Sequence, residues 1–167
     1  RCRISRTITT GTTSELKTGR APRHSQSPRS GLESRRSRRR SQTLKKSVDC
    51  GISSFEAANV AHECGIDLII LDHHQVSSKG LPQAHAVCNP QRADCESGLK
   101  QLCGCAIAFY FSAALRTYLK DKEGWPDAKL PNLKRHLDLV VMATAADQVP
   151  LTGDNRILVK HGLEVLA

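Results

Sequence analysis

The side chains best suited to chemistry fall at three points along the chain. Asp49 ends the short run Ser47-Val48-Asp49-Cys50 and is followed by Gly51. Asp72-His73-His74 closes the apolar run Asp67-Leu68-Ile69-Ile70-Leu71. Asp147 follows the small residues Ala143-Thr144-Ala145-Ala146. If the first two points end neighbouring parallel strands, they lie about 5 Å apart, and at that edge of an open parallel sheet reacting groups collect. Carboxylates crowded into one volume repel unless a cation neutralises them. A mixed oxygen and imidazole donor set suits Mn²⁺, Fe²⁺ or Zn²⁺ better than Ca²⁺. The small side chains before Asp147 let its backbone approach another element closely, so this third carboxylate can reach the same point. Each residue also has a plainer use. Asp49 beside Gly51 suits a turn, and Asp147 ahead of Pro150 suits a helix end. Only Asp72-His73-His74, at the end of a buried strand, carries the metal expectation unaided. His62, His85, His136 and His161 are expected to face solvent or to pack.

The elements that must position these groups can be read from pattern. Gly51 permits a sharp turn, and Ser53 with Glu56 three residues on forms a capping-box pattern. A helix is expected from Ser54 to Cys64, with Gly65 as its stop. The nearly continuous apolar run 67–71 fits a strand buried on both faces. Strand, helix and strand in this length make a βαβ unit with parallel strands. Residues 75–97 read as loop, punctuated by Gly80, Pro82 and Asn89-Pro90. Leu99 to Leu119 is apolar nearly all round and predicts a deeply buried helix, broken at Gly124-Trp125-Pro126. Leu133 to Ala146 is a second buried helical run that Pro150 stops, and Asn155 to Leu166 is a last helix. The fold class expected is α/β, with parallel strands and flanking helices. The chain has no internal repeat, P-loop or Gly-x-Gly-x-x-Gly.

The 167 residues suffice for one ordinary domain. The chain opens on Arg1 and its single Met is Met142, as expected of a piece of a longer polypeptide. The formal net charge of +9 is unevenly placed. Residues 1–47 hold 14 Lys and Arg against 2 Asp and Glu, while residues 48–167 hold 11 against 14. The basicity is therefore no evidence that the folded part binds nucleic acid. Residues 1–47 lack apolar periodicity and end in Arg35-Arg36-Ser37-Arg38-Arg39-Arg40-Ser41. Such a segment buries too little surface to offset its chain entropy, so disorder is expected over 1–47 and a folded domain over 48–167. An RNA-binding arm, a targeting arm and an out-of-frame reading all suit this composition, and the abrupt change at Val48 favours the last. The seven cysteines, Cys2, Cys50, Cys64, Cys88, Cys95, Cys103 and Cys105, include no Cys-x-x-Cys pair. That disfavours zinc, and the odd count disfavours a disulfide framework. Buried free thiols in a reducing cytoplasm are expected instead. The longest apolar stretch, Ala106 to Leu115, is about half of a bilayer span, so no membrane association is expected.

In order along the chain, these residues resemble the DHH phosphoesterases. Val48-Asp49-Cys50-Gly51-Ile52-Ser53 looks like that family's second motif, and Leu71-Asp72-His73-His74 like the third, which names the family. Ala143-Thr144-Ala145-Ala146-Asp147-Gln148-Val149-Pro150-Leu151 is similar to the fourth in the form found in RecJ-type single-stranded-DNA exonucleases. Leu81-Pro82, Asn89-Pro90-Gln91-Arg92, Leu102-Cys103-Gly104, Asp154-Asn155-Arg156-Ile157-Leu158-Val159 and Gly162-Leu163 stand in RecJ-like order, so the resemblance covers essentially all of 48–167. It implies metal-dependent 5′ to 3′ hydrolysis of single-stranded DNA in repair and recombination, with Mn²⁺ or Mg²⁺ in a two-metal site. It implies Asp49, His73 and Asp147 as metal ligands. It implies catalytic roles for His74, at the phosphate, and for Asp72, as support for the histidines. One departure stands out: the family's first motif, Asp-x-Asp, has no counterpart, since no Asp precedes Asp49. The alternatives are another DHH enzyme acting on small nucleotides or oligoribonucleotides, a basic arm on an inert binding domain, or a fragment without function. The Asp-Gln-Val-Pro-Leu sequence after Ala146 favours the RecJ form over its relatives.

Overall fold

A computed structural model describes residues 43–167. Three strands form one parallel sheet in the order β1-β2-β3: β1 Thr43–Val48, β2 Ile66–Leu71 and β3 Ala86–Cys88. The helices are α1 Phe55–Glu63, α2 Gly104–Asp121, α3 Leu137–Ala146 and α4 Gly153–Leu166, with short 3₁₀ turns at Asp127–Lys129 and Leu133–His136. The expected α/β class is what the chain adopts. None of the helices is long and apolar enough to cross a membrane, among the described residues.

The βαβ unit forms where the sequence predicts it. β1 and β2 pair in parallel from Thr43↔Ile66 to Val48↔Leu71. Strand β1 thus begins at Thr43, ahead of the boundary placed at Val48. Residues 43–47 are held by ladder hydrogen bonds to β2, and Lys46 is held by its ammonium over the Phe111 ring, 5.7 Å from the centroid. Backbone pairing to a buried neighbour, not side-chain polarity, decides the state of this stretch. The disorder expected of the preceding basic tract lies outside the described residues.

Alternation along β2 divides the packing between two faces. Ile70 points to the side where Ile52 and Ala58 are buried beside α1. Gly51 closes this approach: a Cβ there would stand 2.6 Å from Cγ2 of Ile70. Ile69 and Leu71 point to the other face, into a core with Leu102, Cys103, Ala106, Ile107, Leu137, Val140 and Leu158. That core joins α2, α3 and α4 to the sheet. Burying apolar surface at roughly 25 cal/mol per Å² is what fixes this layer, and with it the ends of the strands.

Several local expectations are corrected. The capping box does not form: α1 starts at Phe55, its cap residue is Ser54, and the Ser54 hydroxyl donates instead to the Cys50 carbonyl at 2.7 Å. Gly65 does end the helix in the left-handed region, at φ 67°. The stretch read wholly as loop contains β3, tied by Asp72 N–H to Cys88 C=O and His85 N–H to Leu68 C=O. The apolar run from Leu99 becomes helical only at Gly104, with the Cys103 sulfur accepting from the Ala106 N–H. Much of its outer face is half-buried rather than deep. Likewise β2 is buried only over Ile69–Leu71, its first half being half-buried. Leu133–His136 forms a 3₁₀ turn before α3. Of the described cysteines, all free, only Cys103 is fully buried, and Cys50 and Cys64 are exposed. His62, His85, His136 and His161 are exposed as expected.

Candidate metal centre

Asp49 and Asp72 each stand one residue beyond a strand, and the ladder carries on through both. Asp49 N–H donates to Leu71 C=O and Asp72 N–H to Cys88 C=O, both at 3.0 Å. The two carboxylates are thus fixed at the C-terminal edge of the sheet, where the chemistry of open parallel sheets is found. Asp147 arrives from a different layer as the residue that caps α3. Gln148 follows it in the left-handed region at φ 52°, so the chain turns away immediately and leaves Asp147 at the helix end.

Three of the expected residues converge on one atom. His73 Nε2 lies 3.1 Å from Asp49 Oδ1 and 3.7 Å from Asp147 Oδ2. His74 stands beside them, its ring 4.4 Å from that of His73. One donor atom each from Asp49, His73 and His74 fits within 4.8 Å of the others. The His73 side chain is largely enclosed, whereas Asp49 is half exposed, so the cluster opens to solvent on the Asp49 side.

Asp72 is placed differently from the other carboxylates. It is fully buried, and both of its oxygens are engaged. Oδ2 accepts from the Ile52 N–H at 2.8 Å; Oδ1 accepts from the His73 N–H at 2.8 Å and the His74 N–H at 3.1 Å, and pairs with His74 Nδ1 at 2.7 Å. Burial pushes its carboxyl up, but the hydrogen bonds from Ile52, His74 and His73 outweigh burial and hold it below the ordinary carboxylate range. The same contact raises His74 above the usual imidazole value, since Asp72 stabilises the charged ring, with Asp49 and Asp147 adding to the effect. With Nδ1 committed to Asp72, His74 has only Nε2 left to offer to a ligand.

The donor chemistry fits a divalent cation. Asp147 sits at the negative end of the α3 dipole, an unfavourable place for a carboxylate. A second carboxylate, Asp49, shares the same imidazole. Both costs vanish when a cation occupies the space between them. Burial pushes the Cys105 thiol up, and nearby Cys103, Asp147 and Asp49 push it further, which disfavours the thiolate form.

Pattern reading missed the support around the histidines. Asn89 is buried, donates from Nδ2 to the His74 carbonyl at 2.9 Å and accepts from the Gln91 N–H at 2.8 Å. In the sequence Asn89 showed only as part of a turn-like Asn89-Pro90 pair within the resembling segment 89–92, with no sign of this role. Asn155 donates to the carbonyls of Gln101 and Pro150, tying the start of α4 to the segment before α2.

Fold and site together define an α/β domain with carboxylates and imidazoles gathered at the C-terminal edge of a parallel sheet, and comparison with known proteins gives its family. The sequence pattern of the DHH family, N-terminal domain, matches residues 8–144. The chain belongs to the DHH family. Among curated proteins it is similar to the single-stranded-DNA-specific exonuclease RecJ of Salmonella typhimurium, at 48% identity over 119 residues, covering 70% of this chain and 20% of that protein. Its identity to the RecJ of Escherichia coli is 45%, with the same coverage, and to that of Bacillus subtilis 37%, covering 71% of this chain and 13% of that protein. The chain thus spans about a fifth of the length of the first two of these relatives. Two solved structures align with it. One is an exonuclease RecJ bound to manganese, with TM-score 0.58 and 33% identity, covering 72% of this chain and 28% of that one. The other is RecJ in complex with Mn²⁺ from Thermus thermophilus, with TM-score 0.59 and 32% identity, covering 72% and 17%.

Proposed function

We propose that this domain carries part of a Mn²⁺- or Mg²⁺-dependent exonuclease centre that hydrolyses phosphodiesters of single-stranded DNA, 5′ to 3′, in repair and recombination. The observation that carries this reading is the meeting of Asp49, His73 and Asp147 on one atom, His73 Nε2. Asp49, His73 and Asp147 would hold the ion. Once bound, a divalent ion supplies Lewis acidity toward a phosphate and makes a water easier to deprotonate. In this reading His74 would contact phosphate, which its raised affinity for a proton and the commitment of Nδ1 to Asp72 support. Asp72 touches no substrate position in this reading; it holds both histidine backbones and the His74 ring.

The polypeptide lacks an Asp ahead of Asp49, so in this reading it provides one metal position fully and a second only in part. Its test is a calorimetric Mn²⁺ titration of the full chain, with and without a short 5′-phosphorylated single-stranded oligonucleotide at physiological salt. Mn²⁺-dependent DNA binding that His73→Ala removes supports the reading. DNA binding indifferent to Mn²⁺ and to His73→Ala would overturn it.

A further inference from the structure

Two residues at the site break the ordinary backbone rule in opposite senses. Asp49 adopts φ 69°, a left-handed conformation that favours glycine. Gly104 does not need its glycine for backbone reasons, since it is absent from the positive-φ glycines and lies in the first turn of α2. Glycine at the start of a helix is a weak helix former, so its presence calls for a spatial cause.

The cause is Asp49. A Cβ built on Gly104 would stand 2.9 Å from Asp49 Cβ and 3.0 Å from Cγ, and closer still to Oδ1. These three atoms are its nearest neighbours. Real Cβ atoms do not approach so closely, and the obstructing side chain is anchored by a backbone hydrogen bond to Leu71. We propose that Gly104 is a positioning residue of the metal centre: its bare Cα admits the Asp49 side chain against the first turn of α2 and so holds Asp49 Oδ1 3.1 Å from His73 Nε2. The left-handed backbone of Asp49 and the missing side chain of Gly104 are then two halves of one device. This inference rests on the reading of Asp49 and His73 as ligands.

The test uses the full chain with Gly104→Ala, Asp49→Gly and the two combined. Gly104→Ala is expected to weaken Mn²⁺ binding by about 10- to 100-fold, the range for residues that orient a ligand, and to lower the melting midpoint of the metal-free protein. Asp49→Gly suits the local φ and removes the obstructing atoms. In that background Gly104→Ala should leave the melting midpoint where it was, an interaction that a merely structural glycine would not show. If Gly104→Ala alone fails to fold, a folded double variant supports the contact and an unfolded one overturns it. Parent-like Mn²⁺ affinity in Gly104→Ala, or an equal drop in midpoint in both backgrounds, overturns this inference and leaves the metal site standing. A parent chain that binds no Mn²⁺ overturns both.

Discussion

The Asp72 carboxylate lies 2.7 Å from the His74 imidazole while accepting the backbone N–H groups of both His73 and His74. One buried side chain therefore sets the path of the chain after β2, the orientation of one ring and the tautomer of that ring. The three-residue run acts as a unit: the buried acid holds both histidine backbones while the largely enclosed His73 ring meets Asp49 and the His74 ring stands open to solvent.

Asp72→Asn should cost far more than its near-identical shape suggests. The amide keeps one acceptor oxygen and sets an NH₂ against N–H donors that now have no partner. The expected loss in unfolding free energy is roughly 2–4 kcal/mol, given ~1.5–3 kcal/mol for a hydrogen bond to a charged group. Urea denaturation of the metal-free protein measures it. A loss under about 1 kcal/mol would show that the bonds to Ile52, His73 and His74 carry little of the stability.

The same pair gives a pH signature. The folded Asp72 carboxyl is depressed, so its contribution is present above the unfolded value of about 3.9 and is lost as pH falls through the lower folded value. Folded His74 is raised, so its contribution is complete below about 6.5 and is lost as pH rises through the folded value. The metal-free parent should therefore lose stability as pH rises above about 6.5. The His74 side chain is 56% exposed, so solvent screening keeps this change small. Chelator-treated parent and His74→Ala protein, melted across this range, should differ in slope; identical slopes would remove the pair as the cause.

The sheet edge was legible because its signals are strong and local. Four consecutive apolar residues, Leu68 to Leu71, ahead of Asp72 mark a strand, of which Ile69, Ile70 and Leu71 are buried, and Gly65 and Gly51 mark the turns beside it. Asp147 was legible as a helix end before Pro150; the small residues ahead of it allowed it to reach the point of Asp49, and the family resemblance implied that it does. Three features were hidden for physical reasons. Strand β3 is three residues long, too short for any period to register, and is identified by its hydrogen bonds to β2. Lys45 and Lys46 mask β1, an exposed strand whose partner supplies the order. The start of α2 was set too early because Leu99 and Leu102 are as apolar as the helix they precede. The helix begins at Gly104 behind the Cys103 cap, and Gly104 packs against Asp49, a contact across 55 positions that no local pattern carries.

DNA binding by the full chain should be dominated at low salt by the arginine cluster. Residues 48–167 carry 11 basic and 14 acidic side chains, so they offer no net attraction to phosphate. Replacing Arg35, Arg36, Arg38, Arg39 and Arg40 by Ser removes five potential phosphate contacts. The slope of log affinity for single-stranded DNA against log salt should shrink by about 3.5, at ~0.7 per contact. An unchanged slope would move the electrostatic binding onto the domain itself.

The 167-residue polypeptide alone should degrade single-stranded DNA poorly, yet its metal half-site should still be measurable. Geometry on one side and composition on the other argue for this combination. Asp49, His73 and Asp147 supply one oxygen, one nitrogen and one oxygen around a single space, enough to hold a divalent ion with several positions left to water. Two-metal hydrolysis needs a second ion held close to the first, and residues 1–48 contain no Asp to help hold it. Mn²⁺ titration of the parent, Asp49→Asn, His73→Ala and Asp147→Asn separates a shared site from a lone imidazole. Losses of about tenfold or more in each variant fit a shared site, because each would remove one ligand of three. If only His73→Ala changed Mn²⁺ binding, Asp49 would be a turn residue and Asp147 a helix terminator, and the centre would dissolve into ordinary structure. Nucleotide release from single-stranded DNA, followed in the same preparations with Mn²⁺, supplies the second check. Robust release that His73→Ala abolishes would show that these three ligands suffice without an earlier Asp pair, against the expectation stated here.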